Sequence, residues 1–332
     1  MSKAEKVAIP ERPGVFQALF AGLSLCVKTA RVGLPVALGF GALSGLGVSQ
    51  AAALVDSIPD MPTATTGLFS QGLLGITFAL GLYTAIQLAK HFGGGELTAA
   101  SWFPSLMLLP AGLAALGVQV LASGSTDYGP VALMGFVMGF HVFFGTVFGA
   151  FAVVVWLRGA VAVLDGTPVG AGELYTEARK RWLEVAVPHG ASLQAVTVGM
   201  QVVVPGIFYA LQYAFVDCLA VLEPEHRALN RSRRLTQKIR GYLFRVMFVW
   251  FVCWFGTNLA VATAMDGFGN AWVSLLLDIR QISPRTLMLQ EIVAMFCSWW
   301  SVLTMLVIYR WRMAELTARA SLRRTTTADA SS

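Results

Sequence analysis

Residues 131–157 read VALMGFVMGFHVFFGTVFGAFAVVVWL and are followed by Arg158. His141 is the one titratable side chain in this stretch. A helix needs about 20 mostly apolar residues to cross the roughly 30 Å hydrocarbon core of a bilayer. The stretch therefore predicts a transmembrane helix that ends at Arg158.

The composition of the whole chain points the same way. The chain has 332 residues, of which 56% are hydrophobic and 13% are charged. A soluble domain carries about 25% charged residues, so this chain cannot cover its surface with polar groups. It is too apolar for a disordered chain, and four cysteines are too few for a disulfide scaffold. An integral membrane protein is the class that remains.

Other apolar stretches extend this prediction to an all-α, polytopic transmembrane helix bundle of about eight spans. Residues 185–222 are too long for one helix and are interrupted by Pro205-Gly206, which favours a hairpin of two short helices, 186–204 and 207–222. A re-entrant loop over 186–222 would give the same sidedness, so both readings stay open. The remaining predicted spans are 32–55, 67–88, 102–122, 243–265 and 287–309.

The basic residues predict the orientation. With the N-terminus inside, all 24 Lys and Arg residues except Arg280 and Arg285 fall in cytoplasmic segments, as the positive-inside rule requires. We therefore expect a multi-pass protein of the cell's inner membrane with both termini cytoplasmic. The predicted regions are an N-terminal segment with an interfacial helix (1–31), four transmembrane helices (32–157), a central region with a cytoplasmic helix, the Pro-Gly hairpin and a basic interfacial helix (158–245), two last transmembrane helices (246–310) and a basic, disordered cytoplasmic tail (311–332).

Residues 227–243 read RALNRSRRLTQKIRGYL. Helical periodicity places their apolar side chains on one face and their basic side chains on its flanks. This pattern is typical of a helix that lies flat on an anionic leaflet, although the bases could instead serve only to fix the topology. The candidate lipid- or partner-binding residues are Arg227, Arg231, Arg233, Arg234, Lys238 and Arg240.

Two kinds of residue stand out within the spans. His141 and Asp217 are ionisable side chains at membrane depth. Burying such a side chain in the bilayer costs free energy, so each should have a partner or a function there. We expect His141 to bond a neighbouring helix, with a proton relay or a ligand site as the alternative, and Asp217 to reach Arg245 or the basic helix.

Small residues let helices pack closely, either within the bundle or in a dimer, and one face of 131–157 carries Gly135, Gly139, Gly145 and Gly149.

Catalytic signatures are missing from the sequence. It contains no HExxH, GxSxG or GxxxxGKS/T motif, and no span carries paired carboxylates. No catalytic residue, metal site or cofactor is therefore predicted.

The central region carries a resemblance to a known family. Pro205-Gly206-Ile207 is followed by Glu223 at a helix end, and then by Ala228-Leu229 with Ser232 and Leu235. This order resembles YciC-like bacterial inner-membrane proteins and the membrane domain of some bacterial glycerophosphodiester phosphodiesterases. The resemblance implies a helical bundle of largely unassigned function. The phosphodiesterase chemistry is not implied, because it belongs to a separate soluble barrel that has no counterpart in this sequence.

The expected function is that of a non-enzymatic membrane protein that organises or handles lipid, or that scaffolds a membrane complex. Its expected partners are the phospholipid bilayer, with anionic lipids, and either another protein or a second copy of the chain, but not nucleic acid. One alternative is a transporter or channel that uses the broken helices at 186–222. A membrane-embedded lipid enzyme is a further alternative.

Overall fold

The structure is a computed structural model that describes residues 9–57, 63–92, 98–122, 138–167, 169–200, 202–223, 227–267 and 283–330. Within these ranges the chain is helical and contains no β-strand. Seven of the described segments are long and apolar enough to cross a membrane. The predicted all-α, polytopic helical bundle is confirmed.

The helices run as α1 Val15–Lys28, α2 Ala30–Ser57, α3 Thr63–Phe92, α4 Ala99–Leu106, α5 Leu108–Ala122, α6 Met138–Leu164, α7 Ala171–Met200, α8 Val204–Tyr213, α9 Val216–Leu222, α10 Ala228–Thr236, α11 Arg240–Asp266 and α12 Pro284–Ala330. The seven candidate spans lie in α2, in α3, in α4 with α5, in α6, in α8 with α9, in α11 and in α12. The predicted span 131–157 begins outside the described residues, and its helix continues past Arg158 to Leu164.

The core forms where α2 and α12 pack along each other. A methyl group placed on Gly41 would lie 2.5 Å from the Cα atom of Ile292, and one on Gly45 would lie 2.5 Å from that of Met288. Glycine at both positions lets the two backbones approach closely. Trp299 of α12 stacks on Trp156 of α6 with the ring centroids 6.3 Å apart, which joins α6 to this pair.

Helix ends that the sequence assigns to the cytoplasm lie together at one end of the bundle, which we call the basic end. Polar contacts connect these helix ends across the fold. They are Tyr175 Oη donating to the Val32 carbonyl at 3.2 Å, and the ion pairs Arg158–Glu177 at 2.9 Å, Arg231–Glu223 at 2.8 Å and Arg310–Asp165 at 2.8 Å.

The hairpin differs from its prediction in where it turns. The chain reverses at Val202–Val203, where Val203 has φ 59° and the Val204 N–H donates to the Val202 carbonyl at 2.7 Å. Pro205 instead lies in the first turn of α8, where its missing N–H leaves no helical bond unmade. Gly206 lets α8 pack on α7, because a methyl group there would come within 2.5 Å of the Met200 nitrogen.

The number of spans also differs. The predicted cytoplasmic helix and the first hairpin arm form the single helix α7, which is not one of the seven candidate spans. Its charged first half, together with Pro188 and His189, lowers its hydropathy. The described residues therefore contain seven candidate spans, against the eight that were predicted.

Two further predictions about the basic segments are wrong. The basic helix does not continue to residue 243: α10 ends at Thr236 and α11 begins at Arg240. Disorder from residue 311 onwards is not what the described residues show, since α12 continues to Ala330. Arg312 and Glu315 are buried in this extension and form an ion pair at 2.5 Å. Arg312 Nε also donates to the Leu235 carbonyl of α10 at 3.3 Å, which connects the extension to the bundle.

Candidate functional sites

His189 and Asp217 form a pair inside the bundle. His189 Nδ1 lies 2.8 Å from Asp217 Oδ1, and the two side chains are 16% and 24% exposed. The prediction that Asp217 reaches Arg245 or the basic helix is wrong, because Arg245 Nε donates to the Gly241 carbonyl of its own helix. The break between α8 and α9 precedes Asp217 directly, and α9 packs on α7, so the carboxylate meets His189.

The histidine of this pair also contacts α6. His189 lies beside a π-helical turn of α6, Gly145–Gly149. A methyl group on Gly149 would lie 3.1 Å from His189 Nε2, so the glycine makes room for the ring. Such π turns shift the backbone hydrogen bonds of a helix and often occur at functional sites.

A cavity of about 220 Å³ lies beside the pair, and we call it the His189 pocket. It lies between α7, α8, α9, α11 and α12. Its polar lining residues besides the pair are Ser192, Tyr213 and Ser301, and the apolar ones include Leu193, Val196 and Met247.

A second histidine–carboxylate pair joins three helices. His141 Nε2 of α6 lies 2.8 Å from Glu291 Oε1 of α12. Ser44 Oγ of α2 donates to Glu291 Oε2 at 2.8 Å. The neighbouring helix that the sequence expected His141 to bond is thus α12. Both carboxylate oxygens of Glu291 have a polar partner, and Ser44 is buried.

The six predicted basic residues of 227–240 do not share one role. Three of them line a cleft of about 590 Å³ between α10 and α12, which we call the arginine cleft. Arg233 and Lys238 are exposed and do not line the cleft, and Arg240 lies over the Phe208 ring at 4.8 Å. The cleft residues are Arg227, Asn230, Arg231, Arg234 and Leu235 from the α10 side, and Met313, Leu316, Thr317 and Ala320 from α12.

Of the three cleft arginines, Arg231 is in an ion pair, whereas Arg227 and Arg234 are not paired with a carboxylate of the described residues. Arg231 is paired with Glu223, and its buried Nε has no hydrogen-bond partner. Among the described residues, no ion pair engages Arg227 or Arg234. The cleft therefore presents unneutralised guanidinium groups opposite an apolar wall.

The predicted packing glycines of α6 lie against neighbouring helices of the same chain. A methyl group on Gly139 would lie 2.8 Å from the Pro110 carbonyl oxygen of α5, and one on Gly145 would lie 2.8 Å from the Leu193 side chain of α7. Gly149 meets His189, as described above, whereas Gly135 lies outside the described residues. The described glycines serve contacts inside the bundle.

Sequence reasoning missed His189 and Glu291 as partners. The members of the two pairs are 28 and 150 residues apart in the chain, so no local pattern connects them. Each was nonetheless an ionisable residue within an apolar segment, which is the one signal that could have singled it out.

The apolar helices and their exposed side chains define the class of protein. Large apolar residues such as Leu68, Phe78 and Val204 are more than 70% exposed on helices long enough to cross a membrane, as expected for side chains that face lipid. The chain is a multi-pass integral membrane protein. Comparisons with protein-family models, with curated proteins and with solved structures find no match.

Proposed function

We propose that this chain is a non-enzymatic protein of the cell's inner membrane that binds anionic phospholipid at its cytoplasmic face and so organises lipid around the bundle. The observation that carries the proposal is the arginine cleft, with Arg227, Arg231 and Arg234 facing the apolar wall of α12. One side of the cleft suits a phosphate and the other suits the apolar part of a lipid.

The chemistry of the cleft matches a phospholipid headgroup. Guanidinium groups bind phosphate oxygens through paired N–H donors. Each basic residue near an anionic surface contributes about 1 kcal/mol of attraction. Met313 and Leu316 offer contact to the glycerol and the first methylenes of an acyl chain.

The position of the cleft agrees with this role. It lies at the basic end, which the positive-inside rule assigns to the cytoplasm. Cytoplasmic leaflets carry anionic lipids, so the cleft would lie next to its ligand.

Native mass spectrometry in mild detergent tests the proposal, with phosphatidylglycerol added at increasing concentration and phosphatidylcholine as the neutral comparison. The Arg227→Gln/Arg234→Gln variant removes two cleft charges. The matched control, Arg233→Gln/Lys238→Gln, removes two exposed charges outside the cleft. We expect at least a tenfold weaker Kd for phosphatidylglycerol in the cleft variant and less than a twofold change in the control.

Equal losses in both variants would show attraction by net charge alone and would contradict a cleft site. An unchanged Kd in the cleft variant would contradict it as well. The same spectra could instead show a protein partner bound in stoichiometric amount to the wild-type chain and lost from the cleft variant. That result would support a scaffold role in place of lipid binding. Transport, one of the two alternatives predicted from the sequence, depends on different residues.

A further inference from the structure

We propose that the two histidine–carboxylate pairs are stations of one proton path along α6, which carries protons across the membrane without a co-substrate. The path uses His189 with Asp217 at the first station and His141 with Glu291 at the second. It is independent of lipid binding in the arginine cleft.

The depths of the two stations along α6 support a path. An α-helix rises about 1.5 Å per residue, so Gly149 lies about 13 Å from Arg158 and His141 about 25 Å from it. Arg158 lies at the basic end, and His189 packs on Gly149. The first station is therefore near the middle of a roughly 30 Å core, and the second is near its opposite face.

The positions of the two carboxylates along their own helices agree with these depths. Asp217 lies about 9 Å along the chain from Glu223, which is at the basic end. Glu291 lies about 28 Å along α12 from Arg310, which pairs with Asp165 at the same end. One carboxylate is thus within reach of water at the basic end, and the other is within reach of water on the far side.

Thr146 supplies a polar group between the stations. It is fully buried in the π-helical turn, and its hydroxyl has no hydrogen-bond partner among the described residues. A methyl group on Gly190, the residue after His189, would lie 3.0 Å from this hydroxyl. A buried hydroxyl without a protein partner is commonly satisfied by water, and a hydroxyl with water can pass a proton.

The groups around the first pair are mostly uncharged. Besides Asp217, the groups that face His189 are the hydroxyls of Ser192, Tyr213 and Ser301, the Cys218 thiol, and on α6 the backbone of Gly145. The side chains that bond Glu291 are His141 and Ser44. No further charged side chain lines the His189 pocket, so the protons of the first station are shared within its own pair.

The transfer balances in protons. A proton enters Asp217 from the basic end as His189 releases one towards Thr146 and its water. Asp217 then returns a proton to His189. At the second station the order is reversed: His141 takes up the proton from the Thr146 side and passes it to Glu291, which releases one proton on the opposite side. The reverse gradient runs the steps backwards.

Proton flux into phosphatidylcholine liposomes tests this path. An enclosed pH-sensitive dye reports a pH jump, and valinomycin with K⁺ compensates the charge. We expect the wild-type protein to dissipate the gradient at least tenfold faster than protein-free liposomes. Asp217→Asn and Glu291→Gln should each return the rate to the protein-free level.

Variants of Thr146 distinguish a proton path from pairs that only stabilise the fold. Thr146→Val keeps the shape and removes the unpartnered hydroxyl, so its Tm should equal or exceed the wild-type Tm while its flux falls several-fold. Thr146→Ser keeps a hydroxyl and should keep the flux. A merely structural role predicts the wild-type flux for both variants.

Controls keep this result separate from the lipid proposal. Trp250→Phe removes a hydrogen bond to the Cys297 carbonyl at membrane depth, away from α6, and should leave the flux unchanged. Arg233→Gln/Lys238→Gln, which removes two exposed charges outside the arginine cleft, should also leave it unchanged. A wild-type rate no faster than that of the Asp217→Asn/Glu291→Gln variant would overturn the path, and so would a Thr146→Val rate equal to the wild-type rate.

Discussion

Ser232 of α10 bonds the Gln212 carbonyl of α8: Ser232 Oγ donates to that oxygen at 2.8 Å. The same hydroxyl accepts a hydrogen bond from the Phe215 N–H at 3.2 Å. Both backbone groups flank the break between α8 and α9, where the regular helical bonds are interrupted. The basic helix therefore stabilises the break that turns Asp217 towards His189.

Ser232→Ala should lower the free energy of unfolding by about 1–3 kcal/mol, because it removes the partner of the Phe215 N–H and leaves the Gln212 carbonyl only the longer bond from Thr236 Oγ1. The measurement is the Tm of the purified protein in detergent. Ser298→Ala is the control, since Ser298 Oγ bonds only the Ala294 carbonyl of its own helix. Equal Tm shifts for the two variants would contradict the special role of Ser232.

Gly41→Ala should destabilise the contact between α2 and α12. The added methyl group would lie 2.5 Å from the Cα atom of Ile292, so the backbones must separate. Gly39→Ala is the matched control on the same helix, because nothing lies within 4 Å of its methyl group. We expect a lower Tm for the first variant and, from the better helix propensity of alanine, an unchanged or slightly higher Tm for the second. A similar Tm for both would show that the two helices are not closely packed.

Glu315→Gln should lower the free energy of unfolding by about 3–5 kcal/mol, because it leaves the charge of buried Arg312 without its partner. Arg319→Gln also removes an ion pair with Glu315, but the Arg319 side chain is 52% exposed, so the change should stay below about 1 kcal/mol. Thermal unfolding and limited trypsin digestion of the region after Arg310 measure both. If the two variants digest alike, the buried pair does not stabilise the extension of α12.

Cys26 on α1 should resist alkylation in the folded protein. Burial raises the pKa of the Cys26 thiol to about 12, against an ordinary value of about 8.5. The thiolate is the reactive form, so a variant that retains only Cys26 should react with a maleimide roughly a thousandfold more slowly at pH 8 than an ordinary thiol. The rate should rise about tenfold with each pH unit below pH 12.

A variant that retains only Cys253 is the comparison for this experiment, because that side chain is exposed on α11. It should react with a membrane-permeant maleimide without denaturation. Rapid labelling of Cys26 in the folded protein would contradict the packing of α1 on the bundle.

Much of the fold could be predicted from local sequence. Hydropathy over some 20 residues identifies a membrane-crossing helix, because transfer of a helix into lipid depends mainly on its own side chains. The bounds of α2, α3 and α11 follow the predicted spans within a few residues. The basic residues also indicated which helix ends lie together.

Other features depended on which helices meet. Pro205 suits both a helix break and a first helical turn, so the site of the turn was decided by the packing of Gly206 on α7. The apolar face of 228–236 suits lipid as well as protein, and only the fold shows that it covers the break between α8 and α9. The basic residues after position 311 predicted a disordered tail. In the structure α12 continues through this region, and Arg312 and Glu315 form an ion pair within it.

The sequence by itself determined that this chain is a membrane-embedded helical bundle. Only the tertiary structure decided that His189 meets Asp217 and that His141 meets Glu291. Membrane insertion sums over neighbouring residues in one helix, whereas an ion pair depends on the relative position and rotation of two helices distant in the chain, which all of their packing contacts determine together.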